Sequence, residues 1–169
     1  MNRSKLVYKG RVINVYKEKV RLPDKRVREV DIVRHPGAVL IVPMLSDSKV
    51  IMLKQYRAVI GKYIYELPAG TLEKGELPLS CAKREITEEA GVKAKKVVKL
   101  GYIYPVPGYS TEKITIFKAS GLKKAYCPGD EDEIIERVEL TRQQIKGYFK
   151  KGLIVDAKTI AAFAFCGWL

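Results

Sequence analysis

Apolar and polar positions alternate with a two-residue rhythm through the first third of the chain, the pattern of half-buried strands. Leu6–Tyr8, Val12–Tyr16 and Lys19–Leu22 read as strands, and Pro23-Asp24-Lys25 reads as a hairpin turn into Arg26–Val33. Arg34-His35-Pro36-Gly37 breaks the rhythm, and His35, the sole histidine, stands before a proline as a turn residue. Three β-rich runs follow at Ala38–Leu45, Lys49–Tyr56 and Tyr63–Leu67, the last ended by Pro68-Ala69-Gly70. The spacing then changes to that of a helix over Leu79–Ala90, with Pro78 suited to its first turn and Gly91 to its stop. Strands return at Lys96–Tyr104, Lys113–Ala119 and Ile134–Leu140. Thr141 and Asp156 are N-caps for helices over Arg142–Lys151 and Ala157–Trp168. Strands first, then strands mixed with three helices, predict an α+β or mixed α/β fold with a mostly non-parallel sheet.

With 169 residues and 47% hydrophobic side chains, the chain has enough apolar content for a packed core and too much for disorder. The longest apolar runs, Ala38–Leu45 and Ile160–Trp168, are too short for a bilayer, and no apolar stretch of signal-peptide length opens the sequence. Cys81, Cys127 and Cys166 are odd in number and share no ligand spacing. The expectation is a cytoplasmic protein without a disulfide framework or zinc site, and without a membrane partner. A net charge of +13 invites an anionic partner, yet 22 of the 32 basic residues are Lys, as on an ordinary soluble surface. No aromatic RNA-binding signature accompanies the charge. The acids are less evenly spread: ten of 19 lie within 70–92 and 130–136. Solvated loops and a bound divalent cation both account for such density.

The helix narrows that choice. Leu79, Ala82, Ile86 and Ala90 share one stripe, while Glu85, Glu88 and Glu89 share a neighbouring face. Like charges at that spacing repel, and acids in a last turn oppose the macrodipole, so a helix selected for stability alone would carry Lys there. A hard cation reverses the sign, because Mg²⁺ or Mn²⁺ takes carboxylate oxygens converging from one side. The bland alternative is an exposed acidic face paired with Lys83 or Arg84.

The stretch GTLEKGELPLSCAKREITEEAGV, Gly70 to Val92, resembles the Nudix box, G-x5-E-x7-R-E-U-x-E-E-x-G-U with U aliphatic. All specified positions match, which by residue usage would occur by chance on the order of once in 10⁷ chains. The resemblance implies the Nudix fold, a mixed β-sheet sandwiched between helices, and metal-dependent hydrolysis of a nucleoside diphosphate linked to another group. It makes Glu85 and Glu89 the principal ligands of Mg²⁺ (or Mn²⁺), with Glu88 and the Ala69 carbonyl beside them. Arg84 and Glu76 would brace the loop and helix, and Gly70 would let the chain turn close to the ligand.

Outside the box, ELPAG (Glu66–Gly70), QYR (Gln55–Arg57) and Pro107 in YPVPGYSTEKI resemble the ADP-ribose pyrophosphatase branch. That resemblance implies hydrolysis of ADP-ribose to AMP and ribose 5-phosphate. It also implies an antiparallel β-subdomain over 1–36, used in a homodimer and in substrate contacts, ahead of a hydrolase domain over 37–169. Glu131, in Asp130–Glu133, would be the general base and Glu133 a further metal ligand. Arg57 is the candidate clamp for the diphosphate, as its planar fork suits paired oxygens. Arg28 and Glu112 match further substrate positions. Tyr102, Tyr104 and Tyr109 are aromatic enough to stack on a base, though strand aromatics more often serve core or rim. The competing functions are a broader NDP-sugar or dinucleotide pyrophosphatase and, in a different class, a basic RNA-binding or decapping protein.

Overall fold

The computed structural model describes residues 4–10, 13–126 and 134–169, and its first strands form a three-stranded antiparallel sheet. These are β1 (Ser4–Lys9), β2 (Asn14–Arg21) and β3 (Val27–Arg34). The two strands expected at Val12–Tyr16 and Lys19–Leu22 are one, because the polar Lys17 and Glu18 are ladder positions opposite Asp31 and Val30. Glu18 is buried and accepts from Ser4 Oγ at 3.0 Å and from Arg34. The hairpin turn falls where Pro23-Asp24-Lys25 places it, with Lys25 at φ +70°.

A second sheet has seven strands: β4 (Ala38–Ser46), β5 (Lys49–Arg57), β6 (Lys62–Glu66), β7 (Ala69–Thr71), β8 (Val92–Ile103), β9 (Ile114–Lys124) and β10 (Ile135–Thr141). Its main order is β10-β5-β4-β9-β8, with β4 and β9 parallel and the other pairs antiparallel. β8 and β9 run longer than their apolar pattern, because Lys93–Lys96 and Ser120–Lys124, mostly polar apart from the paired Ala94 and Leu122, continue the ladder between them. Residues 38–44 are all buried, as a strand covered on both faces requires.

Helix α1 (Pro78–Glu88) covers one face, and α2 (Arg142–Lys150) and α3 (Ala157–Phe165) cover the other. Alternation along β4 divides the core. Val39 and Ile41 pack with Cys81, Ala82 and Ile86 of α1, whereas Leu40 and Val42 pack with Ile145, Ala162 and Phe163. Each fully buried aliphatic side chain stabilises the sandwich by roughly 1.5–3 kcal/mol. The caps are those the residues specify. Thr141 and Gln144 form a reciprocal capping box, and Asp156 accepts the Thr159 amide at 2.9 Å. α3 ends earlier than its apolar run, and Trp168 folds back to stack on Phe163 at 5.6 Å. No helix among the described residues is long and apolar enough to cross a membrane.

Candidate functional site

The site begins with a split in the large sheet. β4 and β5 pair at Met44↔Val50 and Ser46↔Lys49, then part. Beyond that point β5 takes β6 as partner and β4 takes β7. Pro68-Ala69-Gly70 does end β6, but the chain re-forms at once as β7, too short for any alternation to reveal. A cavity of about 1000 Å³ lies along the split, bordered by β7, the last turn of α1, the ends of β5 and β10, and the start of α3.

The candidate ligands Ala69, Glu85, Glu88 and Glu89 all line this cavity, as do Gly70 and Arg84. Arg84 links the loop before α1 to the end of the helix. It donates in a fork to both Glu76 oxygens at 3.1 Å, and also to Glu85 at 2.6 Å and Glu88 at 3.0 Å. Glu89 accepts the Ala69 amide at 2.8 Å, which ties the helix end to β7. Gly70 has an ordinary φ; its reason is space. A Cβ there would lie within the Glu85 carboxyl group and 2.5 Å from Glu85 Cγ. Buried Cys81 sits beneath, its thiol pushed up to about 12 by burial and by Glu76 and Glu85 nearby, so it is an inert packing group.

Further charge compensation for the acidic turn, beyond Arg84, comes from another element. Arg137 on β10 donates to the carbonyl oxygens of Glu89 at 2.6 Å and Glu88 at 3.0 Å, placing a cation at the C-terminus of α1. Its guanidinium also fills the space a side chain at Gly91 would need: a Cβ there would meet it at 2.6 Å, and Gly91 takes φ +66°. The helix acids are therefore partly neutralised by Arg84 and Arg137. That contact was not legible in the sequence, because Arg137 occupies an unremarkable exposed strand position.

Arg57 also lines the cavity. Its guanidinium forks onto Glu66 at 2.6 and 2.7 Å, and Lys158 from α3 donates to the same carboxylate. Burial alone would raise the Glu66 carboxyl, but the Arg57 hydrogen bonds and the Lys158 charge outweigh it and hold the group below its ordinary value. Glu112 reaches the cavity from a loop anchored on β3, where Val33 donates to Tyr109 O at 2.7 Å and accepts from the Thr111 amide at 3.0 Å. Arg28 lies exposed on β3 opposite Val20, away from the cavity lining. His35 is the turn residue expected, its Nδ1 accepting the Gly37 amide at 3.1 Å. Tyr102, Tyr104 and Tyr109 are exposed, Tyr102 and Tyr104 meeting edge to face. Glu131 and Glu133 lie outside the described residues.

Among the described residues, no three acidic, histidine or cysteine side chains are gathered closely enough to hold an ion as they stand. Glu85 and Glu88 each give an oxygen to Arg84, and Glu89 gives one to the Ala69 amide. The donor set still fits a hard divalent cation: carboxylate oxygens of one helical turn face one cavity. Around the acidic turn itself four carboxylates, Glu76, Glu85, Glu88 and Glu89, stand against two guanidiniums, Arg84 and Arg137, while Arg57 and Lys158 line the cavity further along.

The Arg84 hydrogen bonds hold the Glu76 carboxyl at about 2, against an ordinary 4.5. Between those values the unfolded chain binds a proton that the folded chain does not, so stability falls as the pH drops through the window. Glu76→Gln is expected to lower the urea midpoint at pH 7, and the gap from the parent should close as the pH approaches 2. A gap constant from pH 7 to pH 2 would mean that the ionised pair is not the stabilising element.

A family model described as NUDIX domain matches residues 34–163. The chain is 39% identical to a methanol dehydrogenase activator of Bacillus methanolicus, the match covering 92% of this chain and 85% of that one. It is 38% identical to an ADP-ribose pyrophosphatase of Bacillus subtilis strain 168, covering 94% and 87%. A crystal structure titled ADP compounds hydrolase superposes with a TM-score of 0.83 at 23% identity, over 96% of this chain and 89% of that one. That last likeness bears on fold alone.

Proposed function

Because the chain belongs to the Nudix family and is a hydrolase of nucleoside-diphosphate bonds, we propose that its substrate is ADP-ribose, cleaved to AMP and ribose 5-phosphate. One observation carries this reading most: a turn of carboxylates and a carboxylate-anchored arginine border the same cavity. That pairing suits a diphosphate, which needs positive charge on its oxygens and a place for a divalent ion. The similarity to an ADP-ribose pyrophosphatase along nearly the whole chain supports this choice of nucleotide.

Glu85, Glu88, Glu89, Glu133 and the Ala69 carbonyl are the groups proposed to hold Mg²⁺, with Mn²⁺ as a substitute. When bound, the ion neutralises charge developing on the diphosphate and leaving group. Glu131 is proposed as the base that takes the proton of the attacking water. Arg57, aligned by its hydrogen bonds to Glu66, binds a diphosphate oxygen through in-plane guanidinium N–H groups at its edge. Glu112 contacts the terminal ribose. Arg84 and Glu76 keep the acidic turn in register with β7. Residues 1–36 are proposed to form a homodimer, supported by the exposed Leu6, Val7, Tyr8 and Val27 on the small sheet. Arg28 would then contact substrate across that interface. A cytoplasmic location completes the reading.

The test is a hydrolysis panel of ADP-ribose, GDP-mannose and a dinucleotide, with Mg²⁺, Mn²⁺ or EDTA. ADP-ribose should be turned over fastest, AMP and ribose 5-phosphate should appear in equal amounts, and EDTA should stop the reaction. Faster cleavage of GDP-mannose would favour a broader NDP-sugar pyrophosphatase. No cleavage of any diphosphate, with RNA binding that weakens steeply with salt, would replace the proposal with an RNA-binding protein.

A further inference from the structure

We propose that Lys158 is a second substrate-contacting cation, binding a diphosphate oxygen beside Arg57, with the Glu66 carboxylate anchoring both. The proposal rests on the reading of the cavity as a diphosphate-hydrolysing site. Its starting point is a local rule broken. Asp156 caps α3, and Lys158 is the second residue of the helix proper. A cation there opposes the macrodipole, just as the acids at the end of α1 do. The two misplaced sets of charge come from helices on opposite faces of the sheet and line the same cavity. Local rules fail together at functional sites.

The alternative is that Lys158 merely fastens α3 to β6. That fastening is already made without it. The wholly buried Thr159 accepts the Leu67 amide at 2.9 Å, and Ala162 and Phe163 are fully buried in the core. Desolvation offsets much of the attraction in a buried ion pair, so the pair as a whole adds little to such a junction, although removing Lys158 alone leaves the interior Glu66 carboxylate to Arg57. An ammonium group has three N–H donors. Lys158 uses them on Glu66 and on Asp156 at 2.8 Å, which leaves one for an occupant of the cavity. Glu66 is 1% exposed, whereas the Arg57 and Lys158 side chains keep 40% and 20% exposure. The anion is thus interior, and its two cations stand between it and the cavity.

The experiment compares the full chain with Lys158→Met and Lys158→Arg in Mg²⁺. A charge-assisted hydrogen bond to the substrate predicts a KM for ADP-ribose raised roughly tenfold to a hundredfold by methionine. kcat should stay within about threefold, and arginine should restore most of the affinity. Calorimetry with α,β-methylene-ADP, a diphosphate that resists hydrolysis, should show a matching loss of affinity. Lys158→Gln carries the same expectation should the methionine variant not fold. Unchanged KM and unchanged analogue affinity, with only a lower melting temperature, would overturn the proposal. A parent chain that cleaves no diphosphate would instead overturn the functional reading, and the analogue titration would still decide whether Lys158 binds a diphosphate.

Discussion

Gly70→Ala is expected to lower kcat/KM for ADP-ribose by roughly a hundredfold or more. Backbone strain is not the cause, since Gly70 has no unusual φ. The cause is that the new methyl group would occupy the position of the Glu85 carboxyl. Neither side yields easily. Gly70 is pinned in β7 opposite the fully buried Val39, and Glu85 is buried and held by Arg84. One of the two must shift, and either movement separates the acidic turn from β7. Overpacking of this kind also costs about 1–3 kcal/mol of stability. Gly147→Ala is the matched control: it lies inside α2 with nothing within 4 Å of the added carbon, so it should leave turnover unchanged and raise stability by about 0.5–1 kcal/mol. Turnover by Gly70→Ala within twofold of the parent would show that the seat of Glu85 against β7 is not needed for catalysis.

Legibility in the sequence followed the range of each interaction. Caps, turns and strand alternation are local, so Thr141, Asp156, Gly91 and the hairpin at Pro23 could be placed from neighbouring residues alone. The Arg84–Glu76 brace was available only through the resemblance, because its partners are eight residues apart across a loop. β7 was missed because a three-residue strand has no period to read. Arg137 and Lys158 were missed for a different reason. Their partners lie 48 and 92 residues away, in elements brought together only by the split between β4 and β5. Lys158 did leave one trace, a cation beside an N-cap. The acids of α1 left a similar trace, open to two readings, a bound hard cation or pairing with Lys83 or Arg84. The structure adds a correction: Arg84 of the helix itself pairs with Glu85 and Glu88, and Arg137 brings from β10 a further cation that neither reading named.

That correction sharpens what Glu89→Gln should do. If the acids stood unopposed, removing one would stabilise the helix by a few tenths of a kcal/mol. With Arg84 and Arg137 in place, the gain is smaller, and the glutamine oxygen can still accept the Ala69 amide. The melting temperature is therefore expected to stay within about 2 °C of the parent, either way. Catalysis should respond on a different scale. Glutamine keeps the shape but loses the charge that attracts a divalent ion, and the charge neutralisation forfeited is worth several kcal/mol at the diphosphate. A fall in kcat of roughly 10²- to 10³-fold follows. Part of that loss should be recovered at high Mn²⁺ concentration, because the defect is one of ion affinity. Two measurements on the same variant thus separate the roles. A large loss of stability with proportionate loss of activity would make Glu89 a structural tie between α1 and β7. Full turnover at ordinary Mg²⁺ would remove it from the ligand set.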